Sequence, residues 1–123
     1  MVSRCLIVDD NQRFLDVACW CLEREGIEVL ATATTIAEAM QKAAEHNPDF
    51  VLVDIALGAE SGFELTRRLV AMFPELRSRI VLISTRVKED FDDLVQTSPA
   101  AGFLSKSMLS AAGIHELLSG GQK

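Results

Sequence analysis

Four short apolar runs in this chain stop at residues able to do chemistry. Cys5–Val8 runs into Asp9 and Asp10, and Phe50–Val53 into Asp54. Ile80–Ile83 runs into Ser84 and Thr85, and Ala101–Leu104 is followed within two residues by Lys106. Carboxylates at the end of a buried strand are costly unless something pairs with them. Three of them held a few ångströms apart repel, and one or more would take up a proton. A hard divalent cation resolves that conflict. Magnesium favours carboxylate oxygen, keeps several waters and commonly sits beside a phosphate. Lysine adds a compact positive charge and the hydroxyls add donors. These parts suit phosphoryl transfer, where cations neutralise charge while the reacting groups are held in line. The chain has neither a Walker lysine loop nor a G-x-G-x-x-G. With no other obvious nucleophile, a carboxylate is the candidate.

The same apolar runs must be the elements that position these groups. Continuous β-branched and leucine-rich runs fit strands covered on both faces, as in a parallel sheet. A weaker run, Ile27–Ala31, carries Glu28 and reads as an edge strand. Between the runs lie helical patterns. Phe14, Ala18, Cys21 and Leu22 share one helical face. Thr35-Ile36-Ala37-Glu38 reads as a capping box for a helix to about His46, and Ser61-Gly62-Phe63-Glu64 as a second, whose helix Pro74 stops. A short acidic helix is predicted over Lys88–Gln96, and a last one over Met108–Leu118, ending at Gly120-Gly121. The pattern is βα repeated five times, a doubly wound parallel α/β sheet. In such sheets ligands sit beyond the carboxyl ends of the strands, so Asp9, Asp10, Asp54, Ser84, Thr85 and Lys106 converge on one rim.

Bulk properties narrow the function. A chain of 123 residues, nearly half hydrophobic, is one domain (1–123) with one sizeable core. A net charge of −6 without a Lys/Arg cluster argues against this chain gripping nucleic acid or an anionic membrane. No apolar run reaches transmembrane length, and the N-terminus lacks a signal-peptide pattern. Cys5, Cys19 and Cys21 read as reduced packing thiols of a cytoplasmic protein. His46 and His115 read as ordinary helix-surface residues, and Trp20 falls off the apolar face of its helix.

The order LIVDD (6–10), VLVD (51–54), VLIS (81–84) and GFLSK (102–106) resembles the receiver domain of bacterial two-component response regulators. The gaps are 44 residues from Asp10 to Asp54, 30 to Ser84 and 22 to Lys106, and the likeness covers essentially the whole chain. It implies a flavodoxin-like strand order 2-1-3-4-5. It implies that Asp54 accepts a phosphoryl group from a sensor histidine kinase or a phosphotransfer protein. Asp9, Asp10, Asp54 and the Ala56 carbonyl would hold Mg2+, with Asp9 acting largely through a metal-bound water. Lys106 and Ser84 would contact the phosphoryl group. Ser84 and Phe103 would form the switch that alters the face of the fourth helix, fifth strand and fifth helix for a downstream partner, with dimerisation on phosphorylation a further option. Thr85, Ala56 and Arg86 stand where access and phosphate lifetime are tuned. Departures from the family's common pattern are Gly58 in place of proline, Thr85 in place of alanine or glycine, and Ser107 in place of the proline after Lys106.

Each residue taken singly has a plainer reading. Asp10 suits a helix N-cap, Asp54 a turn, Ser84 and Thr85 local hydrogen bonding, Lys106 a solvated surface, Phe103 the core and the run Glu89–Asp93 a solvated helix face. Two other functions stay open. The chain fits the receiver portion of a longer regulator with a C-terminal DNA-binding domain, although Met1 and a last helix ending in Gly-Gly slightly favour a stand-alone protein. A magnesium-dependent aspartyl-phosphate phosphatase fits less well, because the first strand ends in D-D-N rather than D-x-D-x-T.

Overall fold

The computed structural model of the protein describes residues 3–85 and 91–120. The apolar runs become strands of one parallel sheet: β1 (Ser3–Val8), β2 (Ile27–Ala33), β3 (Phe50–Asp54), β6 (Ile80–Ser84) and β7 (Gly102–Ser105). Their spatial order is β2-β1-β3-β6-β7, the predicted 2-1-3-4-5 once only these five are counted. β2 runs two residues past the predicted run. It forms an edge, and its exposed Glu28 lies 3.9 Å from Arg4.

Register alone assembles the rim. Val8 pairs with Val53, so Asp9 and Asp54 leave adjacent strands at the same level. Asp54 pairs with Ile83, and Ser84 with Ser105, which places Lys106 one step beyond Ser84's level. Side chains alternate across the sheet, and both faces are covered. Leu6, Val8, Val51, Val53, Leu82 and Phe103 face a layer formed by α2 (Ile36–His46), α3 (Gly62–Met72) and α4 (Asp92–Thr97). Cys5, Ile7, Leu52 and Ile83 face Leu15, Ala18 and Leu22 of α1 (Gln12–Arg24) and Ile114 and Leu118 of α5 (Ala111–Gly120). Each fully buried Leu or Ile contributes about 1.5–3 kcal/mol relative to exposure, so the two layers hold the rim rigidly.

Capping corrects several sequence readings. Asn11, not Asp10, caps α1: its Oδ1 accepts from the Phe14 N–H at 3.2 Å. Asp10 is thereby released from capping. Thr35 caps α2 as expected, accepting from the Glu38 N–H at 3.1 Å, but Glu38 reaches back to Thr34 instead of closing the box on Thr35. Ser61 caps α3 through the Phe63 N–H at 3.1 Å, and Glu64 pairs with Arg67 and Arg68. A two-stranded hairpin unforeseen in the sequence, β4 (Ala56–Leu57) with β5 (Glu60–Ser61), turns through Gly58 at φ +62°. A side chain there would be strained, and this turn fills the place of the absent proline.

Of the helix predicted over Lys88–Gln96, the first residues lie outside the described residues; α4 begins at Asp92. The last helix starts at Ala111 rather than Met108, because Lys106–Met108 form a 3-10 turn. Its first N–H is held by Glu25 at the end of α1, Ala111 N to Glu25 Oε1 at 2.6 Å. Among the described residues no peptide bond is cis, Lys106–Ser107 included, and all three cysteines are free thiols. Trp20 is exposed, as its position predicted, with the Arg24 guanidinium 4.6 Å from its ring centre. No described helix is long and apolar enough to cross a membrane.

Candidate functional site

Asp9 is fully buried. Its Oδ1 accepts from the Asn11 N–H at 2.8 Å, and its Oδ2 lies 2.5 Å from Lys106 Nζ. Asp54 is nearly as buried. Its Oδ1 accepts from the Ala56 N–H at 3.1 Å, and its Oδ2 from Lys106 Nζ at 3.2 Å. Asp10 is exposed beside them, and one carboxylate oxygen from each of Asp9, Asp10 and Asp54 lies within 4.8 Å of the others. Burial, and after it the charge of Asp9, push the Asp54 carboxyl up to about 6, although the Ala56 N–H and Lys106 pull the other way. Burial alone would lower the pKa of Lys106, but its hydrogen bonds and charge contacts with Asp9 and Asp54 outweigh that and raise it. One ammonium therefore bridges two carboxylates that would otherwise be uncompensated.

Two glycines shape the backbone here. A Cβ on Gly62 would stand 2.1 Å from the Asp54 carbonyl oxygen, and the Gly62 N–H donates to Ile55 O at 2.7 Å. Only glycine lets α3 begin against the back of Asp54. Gly58 brings the hairpin over the rim, its Cβ position 3.5 Å from Asp10 Oδ2. The hairpin is fastened by Glu60, whose Oε1 accepts from the Ile36 N–H at 2.9 Å.

A cavity of about 300 Å³ opens on the rim, lined by Asp54, Ala56, Ser84, Thr85, Phe91 and Lys106. Ser84 is buried and Thr85 exposed at its edge. Phe103 is buried; its ring stands 6.3 Å from that of Phe91, itself 6.4 Å from Phe63. Arg86 lies outside the described residues.

Sequence reasoning missed four contributors. Asn11 and Glu60 act through caps whose partners the sequence does not reveal. Gly62 looked like a residue inside a capping box. Phe14 looked like core, yet its ring carries Lys106 Nζ 4.3 Å from its centre. A glycine at the first position of a helix was the one available signal, since a stronger helix former would ordinarily stand there.

A doubly wound parallel sheet with carboxylates and a lysine at its carboxyl rim defines an α/β protein with an acidic, cation-ready site. The chain belongs to the response regulator receiver domain family, whose model matches residues 5–118. It is a signalling domain of the two-component type rather than a conventional enzyme. It is 28% identical over 116 residues to the response regulator GacA of Pseudomonas viridiflava, covering 94% of this chain and 51% of that protein. It is 30% identical over 104 residues to the transcriptional regulatory protein DegU of Brevibacillus brevis, covering 84% and 43%. The chain thus spans about half the length of these relatives or less. Among solved structures, a CheY-like receiver domain protein from Methanospirillum hungatei superposes with a TM-score of 0.82 at 25% identity over 99% of this chain and 98% of that one. A Burkholderia pseudomallei response regulator described with a phosphorylated aspartic acid, calcium ion and citrate gives 0.80 at 27% identity over 94% and 66%.

Proposed function

We propose that this domain is a phosphorylatable switch in which Asp54 accepts a phosphoryl group from a histidine kinase or phosphotransfer protein and thereby changes affinity for a downstream partner. The observation that carries this is Lys106 bridging Asp9 and Asp54 beside the exposed Asp10. Asp54 supplies the nucleophilic oxygen. Its Oδ–P bond forms as the donor's P–N or P–O bond breaks, and the donor leaves. The Lys106 ammonium, already against Asp54 Oδ2, is placed to meet a phosphoryl oxygen, and Ser84 to donate a hydroxyl to another. Thr85, at the cavity edge, narrows the approach.

The residues present fit a divalent cation. Their donors are hard carboxylate oxygens, one each from Asp9, Asp10 and Asp54 within 4.8 Å of one another, and the buried Asp9 Oδ2 meets Lys106 Nζ at 2.5 Å. Asp9, Asp10, Asp54 and the Ala56 carbonyl would hold Mg2+, which supplies charge neutralisation for the incoming phosphoryl oxygens. Phe103, packed on Phe91 next to the cavity, would pass the change to the face formed by α4, β7 and α5.

Incubation with acetyl phosphate and Mg2+ should add one phosphoryl group by mass, and Asp54→Asn should add none. Saturating Mg2+ should stabilise the wild type by about 1–3 kcal/mol by mass action, and Asp10→Asn should lose most of that. An equal phosphoryl gain in Asp54→Asn overturns the assignment. A second reading, the receiver portion of a longer transcriptional regulator, is supported by the length of the relatives, and the intact mass of the native protein tests it.

A further inference from the structure

Lys106 has a third neighbour beyond its two carboxylates. Its Nζ stands 4.3 Å from the centre of the Phe14 ring, within the range at which an ammonium is attracted to a ring's negative face. An ammonium has three N–H groups. Asp9 Oδ2 and Asp54 Oδ2 occupy two directions, at 2.5 and 3.2 Å, and the Phe14 face covers another. The lysine side chain is only 12% exposed, so water does little of this work.

The placement of Phe14 is tied to that of Asp9. Asn11 holds both: its N–H donates to Asp9 Oδ1 at 2.8 Å, and its Oδ1 accepts from the Phe14 N–H at 3.2 Å. The ring is half-buried and packs on the α1 side of the core. The turn that orients the carboxylate therefore also presents the aromatic face.

We propose that Phe14 is a positioning residue for Lys106, a charge-attracting seat on which the ammonium pivots. This rests on the phosphoacceptor reading of Asp54. A carboxylate partner fixes the direction of an N–H bond; a ring face attracts the charge with little directional demand. When a phosphoryl group joins Asp54, the ammonium must turn from Asp54 Oδ2 towards a phosphoryl oxygen, and the ring keeps it in place as it turns. Leucine at this position would preserve the apolar packing and lose the attraction.

The test has two arms. In the first, self-phosphorylation by acetyl phosphate is followed in Phe14→Leu, Phe14→Tyr and both changes combined with Lys106→Gln. Phe14→Leu should slow the wild type by about threefold to tenfold, and Phe14→Tyr should stay within about twofold of it. In the Lys106→Gln background the two should be alike. In the second arm, NMR reads the ε-methylene protons of Lys106, which the ring should shift upfield in wild type and Phe14→Tyr but not in Phe14→Leu. An unchanged Lys106 resonance in Phe14→Leu, or the same slowing with and without Lys106, overturns the proposal. Should the wild type take no phosphoryl group, the Asp54 reading fails on its own, and the NMR arm decides the seating of Lys106 separately.

Discussion

Strand β3 lies between two aspartates, Asp49 just before it and Asp54 at its last position. Asp49 belongs to the amino-end rim. It is exposed, its Oδ2 accepts from the Arg4 N–H at 3.0 Å, and its own N–H donates to Arg4 O at 2.8 Å. Its neighbours there are likewise solvent-facing: Arg4 with Glu28 at 3.9 Å, and Ser3 with His115 at 3.2 Å. Exposed pairs of this kind contribute little. Asp54 belongs to the carboxyl-end rim, where Asp9, Asp54 and Ser84 are all buried. The same residue type, five positions along one strand, is a surface fastening at one end and a charge held against its preference at the other. Burial, rather than residue type, separates a structural rim from a chemical one.

The largest test of that contrast is steric. Gly62→Ala should cost about 2–4 kcal/mol, since its Cβ would meet the Asp54 carbonyl oxygen, a backbone atom with nowhere to go. Gly26→Ala, at the amino-end rim with φ +95° and open space around it, should cost only about 1 kcal/mol of backbone strain. Urea denaturation of both variants decides this; equal losses would break the comparison.

Next comes the charge itself. The folded carboxyl of Asp54 is pushed up to about 6 from an ordinary value of 3.8, so the folded state holds the proton more tightly than the unfolded one. The associated stability is fully present below pH 3.8 and lost as pH rises through 6. In metal-free buffer Asp54→Asn should therefore be more stable than wild type by about 1–2 kcal/mol at pH 8. That gain should shrink to nothing by pH 4. A gain independent of pH would contradict the burial argument. The smallest expected effect is at the other end of the strand. Asp49→Asn should shift stability in the same urea denaturation by no more than about 0.5 kcal/mol, as is usual for surface substitutions.

The chemical rim was largely legible in the sequence because its residues terminate continuous apolar runs. Once LIVDD and VLVD are parallel neighbours, Asp9 and Asp54 have to meet. The edge character of β2 followed from Glu28 in the same way. Contacts set by distant parts of the chain were less legible. Asn11 displaced Asp10 as the cap because Asp10 faces the rim, a matter of backbone direction that periodicity does not encode. The Ala56–Ser61 hairpin is too short for any apolar pattern. Glu60 and Glu25 cap helices far along the chain, and exposed glutamates carry no mark of their partners. Phe14 satisfied the helical pattern so well that its second role was hidden by its first.

The bridge between Asp9 and Lys106 has a consequence for the order in which the protein is made. Asp9 precedes its partner by 97 positions, so it is made first. A nascent chain lacking residue 106 can pair β1 with β2 and β3, yet it must bury Asp9 next to Asp54 with no ammonium between them. An uncompensated buried charge is strongly destabilising, so the incomplete chain has reason to remain open. The carboxyl-end rim is thereby completed only once synthesis has passed Lys106.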